Sequence, residues 1–102
     1  MSTAQTNPST ATTNGVLVPA ISGKLVKIRN IFFSSDTTME VSLENSTTHA
    51  TLIIKQYVIA SGGLSLGEAQ LGEAFWSIPG QGVDYTTSAN GNVFIKIQYE
   101  QI

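Results

Sequence analysis

Residues 38–44 read TMEVSLE and decide the fold, because apolar and polar side chains alternate there without exception. Met39, Val41 and Leu43 fall on one side of an extended chain, and the polar residues fall on the other. This period of two is typical of a β-strand that buries one face against a core. We therefore expect residues 38–44 to form a half-buried antiparallel strand.

The same period recurs on both sides of this stretch. Residues 24–33 (KLVKIRNIFF) are rich in β-branched and aromatic side chains. Strict alternation places Val26, Ile28 and Phe32 on one face of that strand. The opposite face then carries Leu25, Lys27, Arg29, Ile31 and Phe33. Further strands are expected at residues 51–60, 64–66, 83–87 and 92–99, with an edge strand or strapped-down arm at 15–21, where Pro19 interrupts an apolar run.

A hairpin is expected near the end of the chain. Asn90-Gly91 is the strongest hairpin signal in the sequence, because both residues tolerate the positive φ angles of a type I′ turn. We therefore expect residues 83–87 to pair with residues 92–99.

Residues 1–14 (MSTAQTNPSTATTN) contain no charged side chain and no large aliphatic residue after Met1. They bury too little apolar surface to offset the entropy of ordering, so we expect a flexible or extended arm. Residues 15–102 carry the strand pattern and form the domain. The sequence thus predicts an all-β fold, an antiparallel β-sandwich or jelly roll of about seven or eight short strands with an extended N-terminal arm.

The amino-acid composition disfavours several classes of function. Of the 102 residues 12% are charged and 41% are hydrophobic, with a net charge of -2. Nucleic-acid binding is disfavoured because no basic field exists to attract phosphates. No apolar run is long enough to cross a bilayer and no signal segment is recognisable, so we expect neither a membrane partner nor secretion. A surface this poor in charge favours packing against neighbours.

Few residues are candidates for catalysis. His49 is the only histidine and the chain has no cysteine, so we interpret His49 as a solvated loop residue rather than a base or metal ligand. Glu68 and Glu73 are the nearest approach to an acid pair, but they lie in a glycine-bearing loop that fixes no separation. We expect no enzymatic activity, no metal and no cofactor.

The aromatic residues allow two interpretations. Trp76 precedes a cluster of breaker residues, 77–82, and such a residue usually fills the end of a sandwich or anchors an interface. Alternatively, Trp76 lies with Tyr57, Tyr85 and Tyr99 on one exposed face and stacks against a sugar. The second interpretation makes the chain a carbohydrate- or receptor-binding module.

The order of strands and turns resembles that of the small jelly-roll structural proteins of tailed bacteriophages. The features that carry the resemblance are Gly23-Lys24, Phe33-Ser34, the strand with Met39, Val41 and Leu43, Gly62-Gly63, Phe75-Trp76, residues 83–87 and Tyr99. It covers about residues 15–102. The resemblance implies a capsid decoration or cement protein, made in the host cytoplasm, that sits on the virion surface as a trimer on the lattice of the major capsid protein. For the alternative interpretation, it implies a carbohydrate- or receptor-binding module of a phage tail or head fibre.

Two hypotheses about contacts follow. The arm adds a strand to an exposed sheet edge of the capsid or of a neighbouring subunit, and surplus apolar positions such as Ile31, Phe33 and Phe94 support a homotrimer. The candidate partner-binding residues are Thr3, Thr6, Pro8, Thr12, Val16, Val18, Phe33, Trp76 and Phe94.

Overall fold

Two four-stranded antiparallel sheets form the protein in a computed structural model that describes residues 2–49, 52–67 and 75–102. The strands within those residues are β1 (Ser2–Thr6), β2 (Gly15–Val18), β3 (Val26–Ser35), β4 (Met39–Asn45), β5 (Leu52–Val58), β6 (Gly62–Leu66), β7 (Val83–Thr87) and β8 (Val93–Gln101). Sheet A has the order β1-β8-β3-β6, and sheet B has the order β2-β7-β4-β5. The prediction of an antiparallel β-sandwich is confirmed.

The pairing of the strands is nested. β4 pairs with β5, β3 with β6, β2 with β7 and β1 with β8, all antiparallel. The chain is thus one long hairpin ribbon whose centre is the β4–β5 connection. The ribbon curls until β3 meets β8 and β4 meets β7, which closes the two sheets. This connectivity is that of a jelly roll.

The core lies between the sheets and is filled by the inward side chains of both. Met39, Val41 and Leu43 are all buried there, as the alternation in residues 38–44 predicts. The remaining core side chains are Leu17, Val18, Val26, Ile28, Ile31, Phe33, Ile53, Val58, Val83, Tyr85, Val93, Ile95 and Ile97. Their burial supplies the main stabilisation of a small domain without disulfides.

A β-bulge in β3 overturns the predicted faces of that strand. Ile28 lies opposite Tyr99 and Asn30 opposite Gln98, so Arg29 is an extra residue in β3. An extra residue shifts every later side chain to the other face. Phe33 is consequently buried and Phe32 is exposed, the reverse of a strict alternation that begins at Val26.

The predicted hairpin between β7 and β8 is wrong. β7 pairs with β2 and β4 in sheet B, whereas β8 pairs with β1 and β3 in sheet A. Asn90-Gly91 therefore lies in a connection that crosses between the sheets. Local turn chemistry at this point is outweighed by the long-range pairing of the nested ribbon.

The N-terminal segment belongs to the domain in this structure. β1 forms the edge of sheet A through a register that runs from Ser2 opposite Tyr99 to Thr6 opposite Ile95. Residues 8–14 are then held along the β7–β8 connection by hydrogen bonds such as Val93 N to Pro8 O at 3.0 Å. The expectation of an arm that projects from the sandwich is therefore wrong. Residues 2–6 pair instead with the edge of β8 in the same chain.

Candidate functional site

The outer face of sheet A carries neutral polar side chains around two phenylalanines. The strand register places the outward residues in rows across β1, β8, β3 and β6. One row contains Thr3, Gln98 and Asn30, the next Gln5, Lys96, Phe32 and Ser65, and the third Phe94, Ser34 and Gly63. Lys96 is the one charged residue within these three rows.

A hollow of about 440 Å³ lies in the middle of this face. Phe32 and Phe94 form one wall with ring centroids 5.8 Å apart and an interplanar angle of 67°. Asn30 Nδ2 donates to Gln98 Oε1 at 2.7 Å across the two central strands. One wall of the hollow is thus fixed by an aromatic pair, and its floor is fixed by an amide pair.

A second hollow of about 450 Å³ adjoins the first and shares Phe94 with it. Its polar lining includes Asn7, Ser34, Asp36 and Asn92. The Thr37 hydroxyl, followed by Asn92, holds the pKa of the Asp36 carboxyl below its usual value by donating hydrogen bonds to it. We call the two hollows together the sheet A groove.

A different surface lies at one end of the sandwich, where residues 19–25, 77–82 and 102 converge. Leu25 and Ile102 exchange two backbone hydrogen bonds, and Gly80 N donates to Lys24 O at 2.7 Å. Ile21, Ile78 and Ile102 are all exposed large apolar side chains. Lys24 is the single charged side chain in these residues. We call this surface the isoleucine end.

Two buried acidic residues lie opposite each other in sheet B. Glu44 of β4 pairs with Asp84 of β7, and both are buried. Thr86 Oγ1 donates to Glu44 Oε1 at 2.6 Å, and His49 Nε2 lies 2.8 Å from Asp84 Oδ2. His49 lies in the loop after β4 with 37% of its side chain exposed, as expected of a solvated loop residue, but its ring also contacts a buried carboxylate that is 35 positions away in the chain.

Two of the four carboxylate oxygens of this acidic pair, Glu44 Oε1 and Asp84 Oδ2, have the partners just named. Asp84 Oδ1 has no hydrogen-bond partner among the residues that the structure describes. Across the same described ranges no group of three or more histidine or acidic side chains is placed to hold a metal ion. Glu68 and Glu73, the acid pair considered from the sequence, lie outside the described residues.

Two of the predicted partner-binding residues do not lie on the surface. Val18 and Phe33 are fully buried in the core between the sheets and cannot contact a partner in this fold. Ile31, which supported the trimer hypothesis together with Phe33, is buried as well. The bulge at Arg29 explains why Ile31 and Phe33 are buried, since it turns both side chains toward the core.

Other predicted partner-binding residues lie along the N-terminal segment and on sheet A. Thr3 and Phe94 share the outer face of sheet A, and Thr6 faces the opposite way beside Ile95. Thr12 exchanges hydrogen bonds with Thr87. The remaining members of this group are Pro8, whose carbonyl accepts from Val93, and Val16, which is exposed on the edge strand of sheet B.

Trp76 packs beside β3 rather than on an aromatic platform. It forms an isolated β-bridge with Lys27, whose ammonium lies 4.7 Å from the centre of the indole ring. Tyr85 is buried in the core and Tyr57 lies on sheet B, so these rings do not share a face with Trp76. The predicted sugar platform of Trp76 and the tyrosines is therefore wrong.

Sequence reasoning missed the sheet A groove and the isoleucine end. Asn30 and Phe32 reach the groove only because of the bulge, and a bulge leaves no reliable mark in a single sequence. A signal did exist for the isoleucine end. Ile21 lies two positions from both Pro19 and Gly23, and Ile78 directly precedes Pro79. These residues end regular structure, so the isoleucines have no strand face on which to be buried.

The fold and these surfaces define the protein as a jelly-roll domain, with eight strands in the residues that the structure describes and with exposed grooves and patches. No family model, no curated protein and no solved structure matches the chain. No helix in the described part of the chain is long and apolar enough to cross a membrane.

Proposed function

We propose that the chain is a non-enzymatic structural protein of a bacteriophage virion, a decoration or cement protein that binds the lattice of the major capsid protein. The resemblance in strand order and turn placement suggests this class of protein. The observation that carries the proposal is the isoleucine end, where three large apolar side chains are exposed beside a single charge. Large apolar side chains that are exposed at the same end of a domain favour protein contact there.

The energetics favour docking by several copies at once. Burying the exposed parts of three isoleucine side chains contributes about 3 kcal/mol per subunit. This is too little for stable attachment of one copy after the loss of its translational and rotational freedom. A homotrimer binds through three isoleucine ends at once. It gains affinity because binding of one subunit raises the effective concentration of the other two at the capsid surface. Low surface charge helps, because few ions lose their hydration on contact.

In this proposal the N-terminal segment stabilises the domain rather than reaching for the capsid. β1 already satisfies the free edge of β8, and residues 8–14 are bonded to the β7–β8 connection. The docking element is then a rigid end of the sandwich, which costs less ordering entropy on binding than a free arm.

Reconstitution on phage heads that lack the protein tests the proposal. The purified chain is added to such heads, and bound copies and heat resistance are measured. We expect saturable binding that raises heat resistance. Ile21→Ser combined with Ile78→Ser should weaken binding at least about tenfold, because about 2 kcal/mol of apolar burial is lost per subunit.

The matched control is Ile59→Ser, which removes an equally large exposed side chain outside the isoleucine end. It should bind as the unchanged protein does. Absence of binding by the unchanged protein, or equal losses in both variants, would contradict the proposal.

A further inference from the structure

The two hollows of the sheet A groove lie one after the other along β8. They share Phe94, and their linings extend from Gln98 at one end to Asn92 at the other. Six residues of extended chain span about 20 Å. The groove is therefore long enough for a short linear ligand rather than a single small molecule.

The polar lining offers both donors and acceptors. The hydrogen bond between Asn30 and Gln98 uses the Nδ2 of Asn30 and the Oε1 of Gln98. It leaves the Asn30 Oδ1 as an acceptor and the Gln98 Nε2 as a donor for a ligand. Asn7, Ser34 and Ser65 add further amide and hydroxyl groups. A ligand rich in hydroxyl groups, each both donor and acceptor, matches this lining.

The aromatic pair supplies an apolar wall of restricted shape. Because the rings of Phe32 and Phe94 are 67° apart, they cannot both lie flat beneath one planar ligand. Phe32 is 39% exposed, which leaves ring surface available for contact. One ring stacks and the other borders a ligand with an apolar face and a polar rim, as a pyranose ring has.

Other ligand classes fit less well. A peptide usually adds to a sheet edge, but the floor of the groove is a sheet face whose backbone groups are already paired within the ladder. A nucleic acid needs several cations, and Lys96 faces the groove together with the opposite charge of Asp36. A docked protein needs a larger apolar centre than two phenylalanines.

We propose that the sheet A groove binds a neutral oligosaccharide, with Phe32 and Phe94 contacting sugar rings and Asn30 and Gln98 bonding hydroxyl groups. This inference does not depend on the capsid proposal, because the groove and the isoleucine end share no residue. Attachment through the isoleucine end leaves the sheet A groove available to a glycan.

Nuclear magnetic resonance titration of the full chain tests this site. The probes are maltohexaose, cellohexaose and chitohexaose, supplemented by a printed array of bacterial and animal glycans. We expect at least one glycan to shift the side-chain amide signals of Asn30 and Gln98 and the ring signals of Phe32. Phe32→Ala and Gln98→Ala should each weaken that binding at least about tenfold.

Tyr57→Ala is the control, because it removes an exposed aromatic ring from the other sheet and should leave binding unchanged. Thermal melts establish that each variant is folded. The proposal is overturned if no glycan binds at about 10 mM, if the shifted signals lie outside the groove, or if Phe32→Ala and Gln98→Ala bind as well as the unchanged chain.

Discussion

The carboxylate of Asp36 accepts two hydrogen bonds from Asn92. The backbone nitrogen of Asn92 donates to Asp36 Oδ1 at 2.8 Å, and its Nδ2 donates to Asp36 Oδ2 at 2.9 Å. Asp36 follows β3 and Asn92 precedes β8, so the pair fixes the ends of the two central strands of sheet A. Thr37 adds a third bond, from its hydroxyl to Asp36 Oδ1.

These bonds make stability depend on pH. Thr37 and Asn92 lower the pKa of Asp36 in the folded state by bonding to its ionised form. The stabilisation is complete above about pH 4 and is lost as the pH falls through the lowered pKa. Asp36→Asn should therefore melt below the unchanged protein at pH 7, and the difference should shrink toward pH 2. A difference that is constant across this range would contradict the assignment.

The bulge at Arg29 predicts that substituting two adjacent phenylalanines will lower stability by very different amounts. Phe33→Ala should lower the free energy of unfolding by about 3 to 5 kcal/mol, because it empties a fully buried core position. Phe32→Ala should lower it by about 1 kcal/mol or less, because that ring lies on the outer face. Denaturant unfolding measures both. Equal losses, or a larger loss for Phe32, would show that β3 has no bulge.

Gly82 has no room for a side chain. A Cβ at this position overlaps the backbone carbonyl oxygen of Val18 and the backbone nitrogen of Ala20. The clash can be relieved only by separating β2 from β7, so Gly82→Ala should cost about 3 kcal/mol. Gly23 serves as the control, because a side chain there meets open space and its φ of 77° suits asparagine. Gly23→Asn should cost about 1 kcal/mol or less, and a similar cost for Gly82→Ala would contradict the close approach.

Deleting residues 2–6 tests the place of β1 in the domain. The deletion removes the hydrogen bonds to β8 and the contact of Ala4 with the core. Part of this lost stabilisation is offset, because the entropy cost of ordering the segment is removed as well. We expect the melting temperature to fall by about 5 °C. Deleting residues 2–14 should lower it further, since the bonds to the β7–β8 connection are also lost. An unchanged melting temperature in both deletions would instead indicate a free arm.

Alternation in the sequence was sufficient to predict the fold class. Met39, Val41 and Leu43 behave as their period of two requires, and this period defines a sandwich. Strand pairing was harder to predict because it depends on distant segments: Asn90-Gly91 favours a local hairpin, but β7 and β8 have partners elsewhere in the ribbon. The pattern also cannot reveal an extra residue such as Arg29.

The same causes limited the prediction of sites. Phe94 and Thr3 were predicted at the surface and lie on the outer face of sheet A. Phe33 was assigned to a partner contact because strict alternation carried it outward. The contact between His49 and Asp84 joins residues that no local pattern connects.

The central claim is that the isoleucine end attaches the protein to a larger shell. Electron cryomicroscopy of phage heads reconstituted with the protein tests this claim most directly. We predict ordered density on the outer surface, with Ile21, Ile78 and Ile102 facing the shell in every copy. Density in which the isoleucine end faces solvent, or heads that carry no added density, would contradict it.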